Sequence, residues 1–105
     1  MADAYRFIIS PEASENLQSI NAYIALDSPQ NAARMVERIL AAIETLGILP
    51  HRTVLERQSR KVKHPVRSLP VKPYMVYFRV LDEAQAIRIL TIRHGARRRP
   101  RRFNE

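Results

Sequence analysis

The apolar positions of the first fifty residues predict one short strand and two amphipathic helices. Residues 5–9 are aromatic and β-branched, a composition that favours a strand. Ser10-Pro11 is a typical helix start, because serine caps the first turn and proline fits inside it. Asp27-Ser28-Pro29 repeats this signal, with Ser28 or Asp27 as the cap of a second helix. The first helix has an apolar stripe at spacings of four, three and four, formed by Ala13, Leu17, Ile20 and Ile24.

The second helix has a longer apolar stripe and a marked end. Gly47 closes the helical pattern and Pro50 follows it, as is usual after a helix C-terminus. Because the connection between the two helices is very short, we expect them to form an antiparallel hairpin. The second stripe is formed by Ala32, Val36, Ile39, Leu40, Ile43 and Leu46.

The second half of the chain predicts three strands after a basic loop. Residues 51–64 are polar and basic without clear periodicity, so we predict a loop with room for a brief strand near its end. Strands are predicted at Val66–Val71, Tyr74–Leu81 and Ala86–Arg93, and the polar turn at 82–85 predicts that the last two form a hairpin. The order β-α-α-β-β-β predicts an α+β fold, in which the N-terminal strand and the helical hairpin pack on a mostly antiparallel sheet.

Composition narrows the class of protein. The 105 residues fit a single domain, with a basic tail from about residue 97. The chain has no cysteine, which excludes disulfides, thiolate metal sites and cysteine nucleophiles. No apolar run approaches a membrane span, and the N-terminus lacks the pattern of a secretion signal. We therefore expect a cytoplasmic protein that does not enter the membrane.

The charge is strongly asymmetric along the chain. Lys and Arg outnumber Asp and Glu by eighteen to ten, which gives a net charge of +8. Residues 1–50 carry three basic and six acidic side chains, whereas residues 51–105 carry fifteen basic and four acidic ones. This asymmetry indicates a basic face that meets a polyanion or an acidic protein, and a solvated basic surface is the simpler alternative.

Several kinds of chemistry are disfavoured by the residue types present. Gly47 and Gly95 are the only glycines, so a glycine-rich phosphate loop is excluded. His51, His64 and His94 lack the short spacing of a metal site, and we predict neither a metal nor another cofactor.

Arginine is the residue type that remains for chemistry or binding. Strand arginines and the arginines just beyond the last strand can line one surface. Guanidinium groups bind phosphate through bidentate hydrogen bonds. His94 is the titratable group next to that cluster, which makes it a candidate general acid or base. The arginines concerned are Arg67, Arg79, Arg88, Arg93, Arg97, Arg98 and Arg99.

The order of these segments resembles that of toxins of the RelE/ParE superfamily. The N-terminal half carries Ile9-Ser10-Pro11-Glu12-Ala13 and Asp27-Ser28-Pro29 with Ala32-Ala33 at the expected places. The C-terminal half carries Pro65–Pro70, Tyr74–Val80 and the stretch from Ile87 to Arg98. Each motif is weak alone, but together they cover nearly all of residues 5–99. The resemblance implies the same β-α-α-β-β-β fold that the residue pattern predicts independently.

The resemblance implies a toxin of a type II toxin–antitoxin pair, a kind of system associated with plasmid stabilisation. The toxin is neutralised by direct binding of an antitoxin, which we expect to be acidic, partly disordered and part of a hetero-oligomer with the toxin. ParE-like members poison DNA gyrase and have no chemistry of their own. RelE-like members are metal-independent endoribonucleases that cut mRNA on the ribosome. A non-toxic basic binding module is the third alternative.

The residues that the superfamily uses for RNA cleavage are incompletely matched. Met75 stands where RelE-like nucleases carry an arginine early in the third strand. Arg97 matches a second arginine, but Phe103 stands where a tyrosine is expected and has no hydroxyl for proton transfer. The expected lysines are matched only loosely, by Lys61, Lys63 or Arg67. These departures favour the ParE-like branch.

The site predictions follow from these alternatives. For the nuclease, the catalytic candidates are Arg67, His94 and Arg97. Antitoxin contacts are assigned to part of the first helical stripe, Leu17, Ile20 and Ile24. Contacts with the target or with nucleic acid are assigned to Arg79, Arg93, Arg97, Arg98 and Arg99.

Overall fold

A computed structural model describes residues 5–48, 50–56 and 63–95. Strand β1 (Arg6–Ile9) leads into helix α1 (Pro11–Ala25) and helix α2 (Pro29–Thr45). A 3-10 turn at Pro50–Arg52 and a two-residue strand β2 (Val54–Leu55) follow. The chain continues through β3 (Val66–Val71), β4 (Tyr74–Leu81), a second 3-10 turn (Asp82–Ala84) and β5 (Ala86–His94).

Both helices begin at the predicted serine–proline pairs. The Ser10 hydroxyl oxygen accepts the backbone N–H of Ala13 at 3.0 Å, and that of Ser28 accepts the N–H of Asn31 at 3.1 Å. Ser28, rather than Asp27, is thus the cap of α2. Each cap satisfies one of the backbone donors that a helix start leaves without a partner.

The five strands form one sheet in the order β1-β5-β4-β3-β2. β1 pairs parallel with β5, and all other neighbours are antiparallel. The predicted α+β fold with a mostly antiparallel sheet is confirmed. Within the predicted loop at 51–64, the two-residue strand β2 lies near the start and pairs with β3 through Val54–Ser68 and Leu55–Arg67. Residues 57–62, where a brief strand near the end of the loop is predicted, lie outside the described residues.

The main core lies between the helices and one face of the sheet. It includes Ile39 and Ile43 of α2, and Val76 and Phe78 of β4. Tyr74, Val76, Phe78 and Val80 are all buried, as the alternation of β4 suggests. Tyr77 is also buried, in a second and smaller cluster on the other face with Val66 and Leu90. A register shift between Tyr77 and Phe78 interrupts the pairing of β4 with β5 at this point.

Neither helix of the described part combines the length and the apolar character that a membrane crossing requires.

Candidate functional site

Two arginines are neighbours on the sheet face turned away from the helices. Arg79 of β4 is paired with Arg88 of β5, and its partner on the other side is Val66 of β3. Val66 belongs to the small cluster of that face, where Met75 packs against it. Paired residues of adjacent strands point to the same side of a sheet. The two guanidinium groups therefore lie together beside an apolar patch.

Arg79 is also bound to the chain that precedes β3. Its Nη1 atom donates a hydrogen bond to the backbone carbonyl of His64. Burial, and next the positive charge of Arg88, lower the pKa of Arg79. Arginine titrates so far above neutral pH that the group stays cationic. Arg79 and Arg88 are thus two adjacent, partly buried guanidinium groups on that face.

A groove of about 540 Å³ lies between α1 and the adjoining ends of β4 and β5. Its helix side is formed by Asn16, Ser19, Ile20 and Tyr23, and its sheet side by Tyr74, Ile92, Arg93 and His94. The Tyr74 and His94 rings meet edge to face, with centroids 5.5 Å apart and planes at 76°. The groove thus brings isoleucine side chains and aromatic rings together with three nitrogen-bearing side chains, those of Asn16, Arg93 and His94.

Arg93 is the charged group of this groove. Its Nη2 atom lies 3.6 Å from Oε2 of Glu12 at the start of α1, which is a long contact for an ion pair. The Nε atom of Arg93 is buried and has no hydrogen-bond partner among the described residues. The guanidinium therefore lies near α1, but its contact with Glu12 does not use all of its hydrogen-bond donors.

Asn16 fixes α1 on β5 where β1 has ended. Its Oδ1 atom accepts the backbone N–H of Ile92 at 2.8 Å and the hydroxyl of Thr91 at 3.0 Å. At the N-cap of α1, the Ser10 hydroxyl donates to the carbonyl oxygen of Leu90 at 2.8 Å. These bonds set the distance between the two sides of the groove.

Arg67 is placed on the opposite side of the sheet from the arginine pair. Its β4 partner is Phe78 of the main core. Its Nη1 atom donates to the carbonyl oxygens of His51 at 3.0 Å and Thr53 at 2.8 Å. This side chain therefore holds the segment between α2 and β2.

The structure does not bring the described nuclease candidates together. His94 is paired with Tyr74, which is paired with Val71, four residues along β3 from Arg67. At about 3.3 Å per residue and 4.8 Å per strand, their backbones are about 13 Å apart along the strands and 10 Å across them. At the same rise per residue, the backbones of Arg88 and Arg93 are about 16 Å apart on β5, so the arginine pair and the groove are separate places on the sheet. Arg97, Arg98 and Arg99, like Lys61 and Phe103, lie outside the described residues.

The apolar stripe assigned to the antitoxin is used mostly in the core. Ile20 is only 8% exposed, and Leu17 and Ile24 are partly buried against the main core. The exposed apolar side chains of this region are instead Tyr23 and Leu26, at 74% and 83% exposure. They lie three residues apart and just off the stripe, and an aromatic residue on the polar side of a helix is the signal that could have singled them out.

A second polar cluster surrounds the turn between β4 and β5. Oδ1 of Asp82 accepts hydrogen bonds from the Tyr5 hydroxyl at 2.8 Å and lies 2.9 Å from Nε2 of His51. The hydrogen bonds with His51 and then Tyr5 lower the pKa of Asp82. Glu83 pairs with Nζ of Lys63 at 2.8 Å, and this bond lowers the pKa of Glu83. The cluster ties four chain segments together on the surface.

Among the residues that the structure describes, no three His, Asp or Glu side chains come close enough to hold a metal ion.

Solved structures of toxin–antitoxin systems share this fold. The chain is similar to one from the chromosomal ParDE system of Pseudomonas aeruginosa, with a TM-score of 0.68 and 23% identity over 89% of this chain and 98% of that one. It is also similar to a RelE–RelB complex from Pyrococcus horikoshii, with a TM-score of 0.66 and 17% identity over 90% and 99% of the two chains. For the RelBE2 complex of Mycobacterium tuberculosis, the TM-score is 0.58 and the identity 21%, over 92% and 98%.

The sequence itself identifies the family. No curated protein matches the chain at a significant level. The model of the ParE toxin of the type II toxin–antitoxin system parDE matches residues 7–99, which is most of the chain. The resemblance to the RelE/ParE superfamily, and the preference for its ParE-like branch, are thereby confirmed. The chain belongs to the ParE toxin family of type II toxin–antitoxin systems.

Proposed function

We propose that this toxin inhibits growth by poisoning DNA gyrase in the cytoplasm, and that an antitoxin encoded beside it neutralises it by direct binding. The toxin acts through surface contacts and catalyses no reaction of its own. In this role it serves the maintenance of the DNA that encodes the pair.

The distance between Arg67 and His94 is the observation that favours action on gyrase over cleavage of RNA. A general acid or base must come within about 3 Å of the proton that it transfers. Arg67 is bound to two backbone carbonyls on the helix side of the sheet. His94 lies at the groove beside Tyr74. Together with Met75 in place of an arginine, this arrangement supports binding rather than proton transfer.

Contacts with the target are assigned to the basic face. Arg79 and Arg88 provide two adjacent positive charges beside the Val66, Tyr77 and Leu90 cluster. The sequence assigns further target contacts to Arg97, Arg98 and Arg99, which lie outside the described residues. A fixed positive surface of this kind favours association with an acidic partner and makes it sensitive to salt.

A gyrase assay with the purified chain tests the proposal. The full chain is incubated with gyrase, ATP and relaxed plasmid, and supercoiling and cleaved DNA are measured on gels. We expect supercoiling to fall and gyrase-dependent cleaved plasmid to accumulate, and the antitoxin added beforehand to prevent both. In parallel, translating ribosomes programmed with a defined mRNA are incubated with the toxin. Cleavage of that mRNA with no effect on gyrase would contradict the proposal and favour the RelE-like alternative.

A further inference from the structure

The charged side chain that lines the groove beside α1 is the positive one of Arg93. Among the residues that the structure describes, the ionisable side chains of the groove are those of Tyr23, Tyr74, Arg93 and His94, and none of its lining residues is a carboxylate. Glu12 lies next to it, with Oε2 3.6 Å from Nη2 of Arg93. The buried Nε atom of the same guanidinium has no hydrogen-bond partner within the described part of the chain. A guanidinium binds a carboxylate best through two short parallel hydrogen bonds. The groove therefore suits a ligand that brings a carboxylate to Arg93.

The same groove offers an apolar surface. Ile20 and Ile92 contribute to its lining, and the Tyr23 ring stands at its edge with most of its surface exposed. Leu26, one turn further along, is still more exposed. Large apolar side chains in such positions are typical of sites that another protein covers.

We propose that this groove is where the antitoxin docks an acidic segment, an inference that rests on the antitoxin partnership proposed above. An apolar side chain of that segment packs on Tyr23 and Ile20. A neighbouring carboxylate binds Arg93 and takes the place of Glu12. Glu12 thus acts as an internal competitor that partly neutralises Arg93 while the groove is empty.

A protein segment fits the groove better than a nucleic acid. A phosphate backbone carries a charge at each nucleotide and is best matched by several cations, whereas Arg93 is the one arginine or lysine among the described residues that line the groove, next to Ile20 and Ile92. The exposed Leu26 adds an aliphatic contact, which suits a side chain more than a nucleotide.

The test measures binding of the full-length antitoxin encoded beside the toxin by isothermal titration calorimetry. We expect Arg93→Gln to weaken binding by about tenfold and to reduce its dependence on salt. Tyr23→Ser should weaken binding by about tenfold, as is common for an exposed aromatic that becomes buried. Glu12→Gln should tighten binding by about two- to fivefold, because it removes the competing carboxylate. Arg38→Gln, an exposed position of α2 outside the groove, is the control and should bind like the natural chain.

Each outcome bears on one of the two proposals. If the natural chain does not bind the antitoxin, the partnership itself is overturned. If it binds and Arg93→Gln and Tyr23→Ser bind equally well, the partnership stands and the groove is not the site. If Glu12→Gln weakens binding, the exchange of carboxylates is wrong. If a short single-stranded oligonucleotide displaces the antitoxin from the natural chain but not from Arg93→Gln, the groove is a nucleic-acid site. Circular dichroism and thermal unfolding of each variant establish that it is folded.

Discussion

The side-chain oxygen of Asn16 accepts the backbone N–H of Ile92 across 76 residues of sequence, at a distance of 2.8 Å. β1 pairs with β5 only as far as Ile89, and no other strand of the described part of the chain pairs with this edge of β5 beyond that point. Asn16 takes over there as a hydrogen-bond acceptor and also receives the hydroxyl of Thr91. The Asn16 side chain thus accepts the hydrogen bond that a neighbouring strand would accept, and it sets the position of α1 against the groove.

Removal of this amide should destabilise the toxin. In Asn16→Ala, the Ile92 N–H and the Thr91 hydroxyl both lose their acceptor, and an unsatisfied buried group costs about 1–3 kcal/mol. We expect a loss of that size in the free energy of unfolding, measured with urea. Asn21→Ala, an exposed position of the same helix, is the control and should stay within about 0.5 kcal/mol of the natural chain. Equal losses in the two variants would contradict the role of Asn16.

The two serine caps should differ in their contribution to stability. Both accept an N–H at the start of a helix, and loss of such a cap costs about 0.5–2 kcal/mol. Ser10 is also buried and its hydroxyl donates to the Leu90 carbonyl, whereas the Ser28 hydroxyl makes only its cap bond among the hydrogen bonds described. Ser10→Ala should therefore cost about 1 kcal/mol more than Ser28→Ala. The comparison is made by chemical unfolding, and a larger loss for Ser28→Ala would argue against the Leu90 bond.

Arg67 should prove to be a structural residue. Arg67→Met removes two hydrogen bonds to backbone carbonyls, at about 0.5–1.5 kcal/mol each. We expect the loss to appear as faster amide hydrogen exchange in Val54 and Leu55, with growth inhibition reduced only in proportion to the folded protein. Arg38→Met on α2 serves as the matched loss of an exposed arginine. Complete loss of toxicity in a fully folded Arg67→Met variant would indicate a direct part in the activity.

Stability should depend on pH through Asp82. Its bonds with His51 and Tyr5 lower the pKa of its carboxyl in the folded chain. The ionised form therefore stabilises the fold above the unfolded pKa, and this contribution is lost as the pH falls through the folded pKa. Because Asp82 is largely exposed, the effect should be small. Asp82→Asn should unfold with a weaker dependence on pH between about 5 and 2 than the natural chain.

Tyr5→Phe is the matched variant for the same hydrogen bond. The bond to Asp82 raises the pKa of the Tyr5 hydroxyl, so its contribution to stability is present below the unfolded pKa and is lost as the pH rises through the folded pKa. The natural chain should therefore lose stability in strong alkali, and Tyr5→Phe should lose less. An identical alkaline profile for the two proteins would contradict the bond.

Local signals explain why most of the fold is predictable from sequence. The Ser10-Pro11 and Ser28-Pro29 pairs start a helix through contacts within one helical turn. The alternation of side chains in β4 predicts the buried face of that strand from its own residues. The burial of Tyr77 departs from that alternation, because it depends on a second cluster that Val66 and Leu90 form on the other face. No pattern inside β4 contains that information.

The site depends on contacts between distant residues, and sequence reasoning was weaker there. β2 forms where Arg67 reaches back to the carbonyls of His51 and Thr53, and a short strand has no periodicity of its own. The spacing of Leu17, Ile20 and Ile24 predicted an apolar face correctly, but it could not tell a core face from a binding face. The contact of Arg93 with Glu12 joins the two ends of the chain and has no local signal.

The most direct test is tightly induced expression of the natural chain alone, followed by short pulses of labelled thymidine and labelled methionine. A toxin that poisons gyrase should lower thymidine incorporation first, while methionine incorporation continues for some time. Co-expression of the antitoxin should restore both. An earlier fall in methionine incorporation would contradict the gyrase proposal and indicate action on the ribosome. Normal incorporation of both labels would contradict toxicity itself.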